Sequence, residues 1–241
     1  MMNLQSFRLL AACLFGVAMA IGCQSDEEKL TDFLSRGDAA LEAGKPNEAV
    51  IEYRNVIQID PNNSQAHYGV AQAYLRQGNL KAGYWELSES VRLDPSNLDA
   101  RRRFGSMSIA ARDFDQVLEQ AEALIAAEPE GGAGYHLKAQ ALDGQETPAE
   151  AEAFHLKAVE LDPENYEYLV VLSKYYARQL RFDDAEKTIQ AYTEADPGFG
   201  SFSQLGRFYV SSKRLDDAEA AFRTAVELDD GKRTQGYLNL A

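Results

Sequence analysis

The chain has 241 residues, with 24 basic and 38 acidic side chains and a formal net charge of −14. Nucleic-acid-binding proteins carry a basic surface, so this balance argues against a nucleic-acid partner. It is typical of a soluble surface whose charges repel one another.

The segment from Met1 to Gly22 differs in composition from the rest of the chain. Arg8 is its only charged residue, and an uninterrupted apolar run extends from Leu9 to Ile21. A run of this length matches the hydrophobic region of a signal peptide and is too short to span a bilayer. We therefore predict that residues 1–22 form a signal peptide.

The sequence Ala20-Ile21-Gly22-Cys23 at the end of this run resembles a bacterial lipobox, although the usual Leu is replaced by Ala20. In lipoproteins the cysteine is acylated and becomes the first mature residue. Gln24 in place of Asp implies sorting to the outer membrane of a Gram-negative bacterium. Because Cys13 lies in the removed segment, Cys23 would have no disulfide partner within the chain.

We accordingly predict a lipoprotein, anchored through palmitate on Cys23, that faces the periplasm from the outer membrane. Residues 23–29 would be the acylated cysteine and a short polar tether. The alternatives are a plain secretory signal with an incidental cysteine, or a single membrane anchor.

From Leu30 onward the sequence repeats with a constant period. Five prolines stand at equal intervals, each after an acidic residue: Pro61, Pro95, Pro129, Pro163 and Pro197. A fixed period of this size indicates an array of structural repeats. The repeats are residues 30–63, 64–97, 98–131, 132–165, 166–198 and 199–233, with a partial seventh at 234–241.

Each repeat carries two apolar faces with helical spacing, separated by turn residues such as Gly44-Lys45-Pro46. With Leu30 as position 1, positions 8 and 20 hold mostly small residues, which allow two helices to approach closely. The proline at position 32 ends the second helix, because it lacks an N–H and pushes its predecessor out of the α region. Each repeat is thus predicted to be two antiparallel helices.

This pattern resembles the tetratricopeptide repeat, which has Leu-Gly-x-x-Tyr in the first helix, Ala at positions 20 and 27 and Pro at 32. The matching residues include Leu205-Gly206-Arg207-Phe208-Tyr209 together with Ala151, Ala158 and Pro163. The resemblance extends from Leu30 to Ala241. It implies an all-α, right-handed superhelical solenoid that binds protein or peptide segments and is not an enzyme.

No catalytic, metal-binding or cofactor-binding constellation is evident in the sequence. His67 and His155 occupy core-facing positions, whereas His136 is expected on the inner surface. The glycines at 131, 132 and 134 follow no predicted strand, so they form no phosphate loop and mark a turn instead. We expect no catalytic residue, no cofactor and no metal.

In tetratricopeptide arrays the inner groove is lined by positions 2, 5, 9, 12 and 13 of the first helix. The resemblance therefore places the following candidates in a partner-binding groove: Leu34, Leu41, Tyr68, Gln72, Leu75, Arg76, Arg102, Lys174, Arg178 and Arg207. Four of them would form an apolar strip on repeats 1 and 2, namely Leu34, Leu41, Tyr68 and Leu75. Arg178 and Arg207 are expected to hold one carboxylate together. The Lys-x-x-x-Asn pairing of chaperone-tail clamps is absent.

Three functional hypotheses follow. The stretch from Glu52 to Gly78 resembles the first repeats of tetratricopeptide lipoproteins from exosortase and exopolysaccharide loci, which implies a scaffold for an envelope export system. The second hypothesis is a lipoprotein that helps a type IV pilus or its secretin assemble. The third is the N-terminal part of a larger envelope enzyme. In all three, the membrane is contacted through the lipid anchor only.

Overall fold

A computed structural model describes residues 25–145 and 147–229. These residues form twelve α-helices and, within the described ranges, no strand. The all-α architecture predicted from the repeat is thereby confirmed. The chain divides into an N-terminal unit up to Asp94 and a C-terminal unit from Pro95. The predicted signal peptide, Cys23 and the partial repeat at 234–241 lie outside the described residues.

The N-terminal unit holds the first two repeats as two helix pairs. Its helices are α1 Asp26–Glu42, α2 Pro46–Ile59, α3 Ser64–Arg76 and α4 Leu80–Leu93. Helix α3 begins at the predicted repeat boundary because the Asn63 side chain caps it, accepting a hydrogen bond from the Ala66 N–H at 2.9 Å.

Helix α1 begins at Asp26, earlier than the boundary at Leu30. The prediction that the tether extends through Lys29 is therefore wrong for its last residues. Ser25 and Glu28 form a capping box, in which the Ser25 hydroxyl accepts from the Glu28 N–H at 3.1 Å and the Glu28 carboxylate accepts from the Ser25 N–H at 3.0 Å. This reciprocal pair and the acidic first turn start the helix early.

The C-terminal unit holds the remaining four helix pairs. Its helices are α5 Leu98–Ala110, α6 Phe114–Ala127, α7 Gly132–Gly144, α8 Pro148–Leu161, α9 Tyr166–Arg178, α10 Phe182–Ala195, α11 Phe199–Ser211 and α12 Leu215–Glu227. Each first helix begins at a predicted repeat boundary, including the one that follows the shortened fifth repeat.

Small side chains at positions 8 and 20 are buried, as the repeat pattern predicts. Ala49, Ala139 and Ala151 have no exposed surface. Gly37 lies so close to the Tyr53 ring that a Cβ at this position would be 2.6 Å from it. The second helix can therefore place an aromatic ring directly on the backbone of the first.

Buried polar side chains at positions 4 and 23 of the same repeat pair with each other. In repeat 2, Nδ1 of His67 lies 2.6 Å from the Glu86 carboxylate, and both residues are buried. In repeat 3, Arg101 donates to the Gln120 side chain at 2.6 Å. Pairing of this kind offsets part of the desolvation cost of the polar residues in repeat 3, where Arg101 is half-buried and Nε2 of the buried Gln120 has no hydrogen-bond partner among the described residues.

A clasp of hydrogen bonds joins successive repeats within the C-terminal unit. Glu152 accepts from the Tyr176 hydroxyl at 3.0 Å and from Arg181 at 2.7 Å, and the Arg181 guanidinium lies 4.4 Å from the centre of the Tyr176 ring. A second clasp of the same design, one repeat further along, is formed by Glu186, Tyr209 and Arg214. The clasp therefore links position 21 of one repeat to positions 11 and 16 of the next.

Candidate partner-binding groove

The first helices of repeats 3 to 6 line a series of three depressions in the C-terminal unit. The first lies between α5, α7 and α9 and has a volume of about 420 Å³. The second, of about 520 Å³, lies beside it towards the ends of the same helices. The third, of about 260 Å³, lies between α9 and α11. This series is called the groove below, and four of the ten predicted residues line it: Arg102, Lys174, Arg178 and Arg207.

His136 lies in the first depression and is only 8% exposed, so the prediction that it is a surface histidine is wrong. Its ring stacks on Tyr168 with centroids 4.3 Å apart. The Gln140 amide lies 2.8 Å from Nε2 and donates to it, which leaves the proton of the neutral ring on Nδ1. Burial, with a smaller effect from His155, lowers the pKa of His136 to about 4.

Lys174 lies between the second and third depressions and lines both of them. Arg207 lines the third, and neither residue makes an ion pair within the described part of the chain. Arg178 lines the second depression and pairs with Asp143, which lines it too. Arg178 and Arg207 thus line different depressions, so the structure does not bring together the two residues expected to hold one carboxylate. Lys174 and Arg207 are the pair that share a site.

Arg102 lines the first depression but is already engaged. Its guanidinium pairs with Asp99 at 2.7 Å and with Glu128 at 2.5 Å. The Glu128 hydrogen bond raises the pKa of Arg102. A partner carboxylate would have to compete with both acids for the guanidinium. Arg102 therefore shapes the wall of the first depression but does not offer an unpaired charge.

Most side chains of the apolar strip predicted on repeats 1 and 2 are buried or half-buried within the N-terminal unit. Leu41 is 6% exposed and belongs to the core of the N-terminal unit, so the prediction that it faces solvent is wrong. Leu34 is half-buried against the same core. The Leu75 side chain is half-buried too and covers Gly83 at the start of α4, where a Cβ would lie 2.6 Å away. The absence of a side chain at Gly83 lets Leu75 turn inward.

The three other candidates of the N-terminal unit lie on α3. Tyr68 and Gln72 are half-buried, and Arg76 is exposed. The Arg76 guanidinium donates to the backbone carbonyl of Leu41, which ties the first repeat to the second. Arg76 therefore contributes to packing between repeats.

Histidines and acids within the described ranges form no site for a metal ion. No group of three or more His, Cys, Asp or Glu residues there is arranged to hold one. His155 is fully buried, and neither of its ring nitrogens has a hydrogen-bond partner among the described residues. None of the helices in residues 25–145 and 147–229 is both long and apolar enough to cross a bilayer.

Repeated helix pairs with a groove along their first helices define a helical repeat protein. Family profiles described as TPR repeat and tetratricopeptide repeat match residues 37–78, 133–165 and 170–232. The chain is a tetratricopeptide repeat protein.

Solved structures share this fold. A tetratricopeptide repeat protein from Parabacteroides merdae has a TM-score of 0.70 and 15% identity, with 88% of this chain and 83% of that chain covered. MamA from Desulfovibrio magneticus RS-1 has a TM-score of 0.62 and 23% identity, with 69% and 94% covered. The structure of pilF from Pseudomonas aeruginosa has a TM-score of 0.62 and 14% identity, with 90% of this chain and 100% of that chain covered. At these identities the similarity establishes the fold alone.

Curated proteins match over shorter stretches. The BBSome complex member bbs-4 of Caenorhabditis elegans is 24% identical over 130 residues, which are 54% of this chain and 28% of that protein. Hsp70-Hsp90 organizing protein 3 of Arabidopsis thaliana is 27% identical over 84 residues, 35% of this chain and 15% of that protein. This chain therefore corresponds to less than a third of either relative.

Sequence reasoning missed how little of the predicted apolar strip is available, and it missed an exposed surface on the second helices. Ile51 and Trp85 are 61% and 55% exposed and both occupy position 22 of their repeats. The signal was present in the alignment of the two repeats, where a large apolar residue recurs at a position that faces away from the core.

Proposed function

We propose that this chain is a non-enzymatic scaffold of the bacterial envelope whose groove holds an acidic segment of a partner protein. Tetratricopeptide domains bind protein or peptide partners. The observation that carries the proposal is the charge of the third depression: Lys174 and Arg207 line it, and no carboxylate does. The chain as a whole has a net charge of −14, so this depression is a local exception.

Carboxylates suit this site because lysine and arginine form charge-assisted hydrogen bonds with them. The same depression offers apolar contacts from Val170, Ala177 and Phe208. An extended segment that alternates acidic and apolar side chains would use both features. Lys174 also reaches the second depression, so a longer segment can continue past α9.

Peptide binding tests the groove. The probes are an acidic, apolar-alternating peptide and the same peptide with Asn and Gln in place of Asp and Glu. The double variant Lys174→Glu, Arg207→Glu should bind the acidic peptide at least about tenfold more weakly, and the loss should shrink at high salt. Lys187→Glu, Lys213→Glu is the matched control, because these lysines are exposed, make no ion pair in the described ranges and lie outside the groove. Equal binding by both double variants would contradict the proposal.

The lipid anchor at Cys23 is the second part of the proposal and rests on the lipobox-like Ala20-Ile21-Gly22-Cys23. It gives an outer-membrane lipoprotein that faces the periplasm. Cys23→Ser should abolish palmitate labelling and move the protein from the membrane fraction to the soluble one, or leave it uncleaved. Wild-type protein that carries an unmodified Cys23 would contradict the anchor without bearing on the groove.

For the pathway we propose help with the assembly of an exopolysaccharide or protein export system, which the resemblance of Glu52–Gly78 to such lipoproteins supports. A second candidate is the assembly of a type IV pilus or its secretin. The fold similarity that pairs 90% of this chain with all of the pilF structure favours it. Deletion of the gene separates the two: lost surface polysaccharide with intact secretin multimers supports the first, and the reverse supports the second.

A further inference from the structure

The two second helices of the N-terminal unit present an apolar surface to solvent. Among the described residues of this unit, the exposed large apolar side chains are Ile51, Leu80 and Trp85, and all three lie on α2 and α4. Trp85, the only tryptophan in the chain, borders an open depression of about 380 Å³ with Lys81 and with Arg54, whose guanidinium pairs with the buried Glu86 at 2.5 Å. We call this the outer-helix surface. Ile51 and Trp85 occupy the same repeat position on successive second helices and so face the same side of the unit, and exposed apolar residues that share a face mark contact sites.

The outer-helix surface is also nearly free of acid, in contrast to the helix beside it. Glu48 is the only exposed acidic residue on α2 and α4, and it pairs with Lys45 at 3.1 Å. Lys81 is exposed and makes no ion pair within the described ranges. Helix α1 exposes one basic residue, Arg36, and six acidic ones: Asp26, Glu27, Glu28, Asp32, Asp38 and Glu42.

We propose that the outer-helix surface lies against the lipid bilayer, a contact additional to the lipid anchor. Indole rings favour the interface between headgroups and acyl chains, and lysine and arginine beside them meet lipid phosphates. Aliphatic side chains such as Ile51 and Leu80 gain from burial in the same layer. The acidic α1 surface would be repelled by those phosphates, so the charge of the unit selects which side faces the membrane.

The proposal rests on acylation of Cys23, which brings the unit close to the bilayer. Helix α1 begins at Asp26, three residues after Cys23. Three extended residues reach about 10 Å, so the unit cannot move far from the membrane surface. A unit held at that distance contacts lipid with one of its faces, and the outer-helix surface is the one whose chemistry fits.

Fluorescence of Trp85 provides the test, because no other tryptophan contributes to the signal. Full-length acylated protein is reconstituted into vesicles of phosphatidylethanolamine and phosphatidylglycerol, with or without lipids brominated near the headgroup end of the acyl chain. Brominated lipid should lower the emission about twofold, as expected for an interfacial indole. Aqueous iodide should quench Trp85 less in vesicles than in unacylated Cys23→Ser protein free in buffer.

The matched control moves the indole to the acidic helix of the same unit. In the variant Trp85→Phe, Ser35→Trp, the new ring stands on α1, at an exposed position closer in sequence to the anchor. Its emission should not be quenched by brominated lipid and should be quenched by aqueous iodide. Ile51→Ser, Leu80→Ser should reduce the bromine quenching of Trp85 while the protein still floats with vesicles, and circular dichroism confirms that the helices remain.

Each outcome bears on the proposal. Protein that floats with vesicles but shows no bromine quenching at Trp85 overturns the bilayer contact and leaves the proposed anchor and groove intact. Protein that does not float overturns both the anchor and the contact. If brominated lipid quenches the Ser35→Trp control as strongly as Trp85, the membrane does not select one face of the unit. That result also overturns the proposed bilayer contact. Shielding of Trp85 only after addition of envelope proteins assigns the surface to a protein partner instead.

Discussion

Leu180 has a left-handed backbone conformation at a repeat position where glycine is the favoured residue. Position 15, between the two helices of a repeat, has a left-handed backbone in five repeats: φ is 69° at Gly44, 75° at Gly78, 59° at Arg112, 60° at Leu180 and 60° at Lys213. Glycine adopts this conformation without a Cβ clash, whereas other residues are strained in it. Three repeats therefore carry a strained residue where two carry glycine.

We expect Leu180→Gly to raise the free energy of unfolding by about 0.5–1 kcal/mol, which is the strain relieved less the extra freedom of glycine in the unfolded chain. Leu180 is 76% exposed, so little packing is lost. Thermal unfolding measures the change. The control Lys187→Gly, in the middle of α10, should lower the same quantity by about 1 kcal/mol. A lower midpoint for Leu180→Gly would mean that the exposed leucine has a packing role.

At residue scale the sequence predicted which faces of a helix pack but not how deeply each side chain is buried. His136 has the spacing of a groove residue, yet α7 approaches its neighbours closely through glycine. A Cβ on Gly132 would lie 2.8 Å from the Ala158 carbonyl oxygen, and one on Gly134 would lie 2.9 Å from that of Ala121. These glycines, interpreted from sequence as a turn, bring α7 close to its neighbours and help to bury His136.

Between elements, the clasp is the feature that couples one repeat to the next. Sequence periodicity predicted the helix pairs because proline and small residues recur in every repeat. The clasp recurs only twice in the described part of the chain, and its glutamate and arginine belong to different repeats, so a single repeat does not reveal it. Its acceptors Glu152 and Glu186 occupy position 21, and Glu219 occupies the same position in repeat 6.

Glu186→Ala should loosen repeat 6, because it removes the acceptor of the Tyr209 hydroxyl and leaves Arg214 bonded only to Asp217 of its own repeat. A hydrogen bond to a charged group contributes about 1.5–3 kcal/mol, and the Tyr209 side chain that donates this one is buried, so amides of α11 and α12 should lose about 1–2 kcal/mol of exchange protection. Glu219→Ala is the matched control. Glu219 is exposed and pairs with Arg223 of its own helix, so its loss should change protection by at most about 0.5 kcal/mol. Equal losses for both variants would mean that the clasp does not couple the repeats.

For the whole molecule, the constant repeat period was sufficient to predict the architecture, whereas only four of the ten predicted groove residues line the depressions. Repeat position alone selected Lys174 and Arg207, and both residues line the third depression. The repeat position of a basic residue does not show whether its charge is already neutralised by a neighbouring acid. Arg178, for example, is paired with Asp143, which belongs to the preceding repeat. The free charge of the groove depends on such contacts between repeats, and these follow from the three-dimensional arrangement.

We expect the two units to respond to acid in opposite directions, because their buried histidines differ in surroundings. In the N-terminal unit, the hydrogen bond to Glu86 raises the pKa of His67. In the C-terminal unit, burial lowers the pKa of His136 and of His155 to about 4, from an ordinary value of 6.5. Electrostatic repulsion makes a smaller contribution in the same direction: the protonated form of His155 lowers the pKa of His136, and Arg178 lowers the pKa of His155.

The signs follow from which state binds the proton more tightly. The unfolded chain binds a proton at His136 and His155 more tightly than the folded state does. Their stabilising contribution is therefore present above pH 6.5 and is lost as the pH falls towards 4. The loss is about 1.4 kcal/mol per pH unit for each histidine. For His67 the folded state binds more tightly, so its contribution is complete below pH 6.5 and disappears as the pH rises through its raised pKa.

We therefore expect acidification from pH 7.5 to 5 to destabilise the C-terminal unit selectively. Hydrogen exchange, corrected for the intrinsic pH dependence of the rate, should show α7 and α8 losing protection while α2 and α3 keep or gain it. His155→Phe should remove about half of the pH dependence of the C-terminal unit, because an aromatic ring of similar size still packs on Tyr175 but does not titrate. Equal losses of protection in both units, or an unchanged slope in His155→Phe, would show that the buried histidines do not set the acid response.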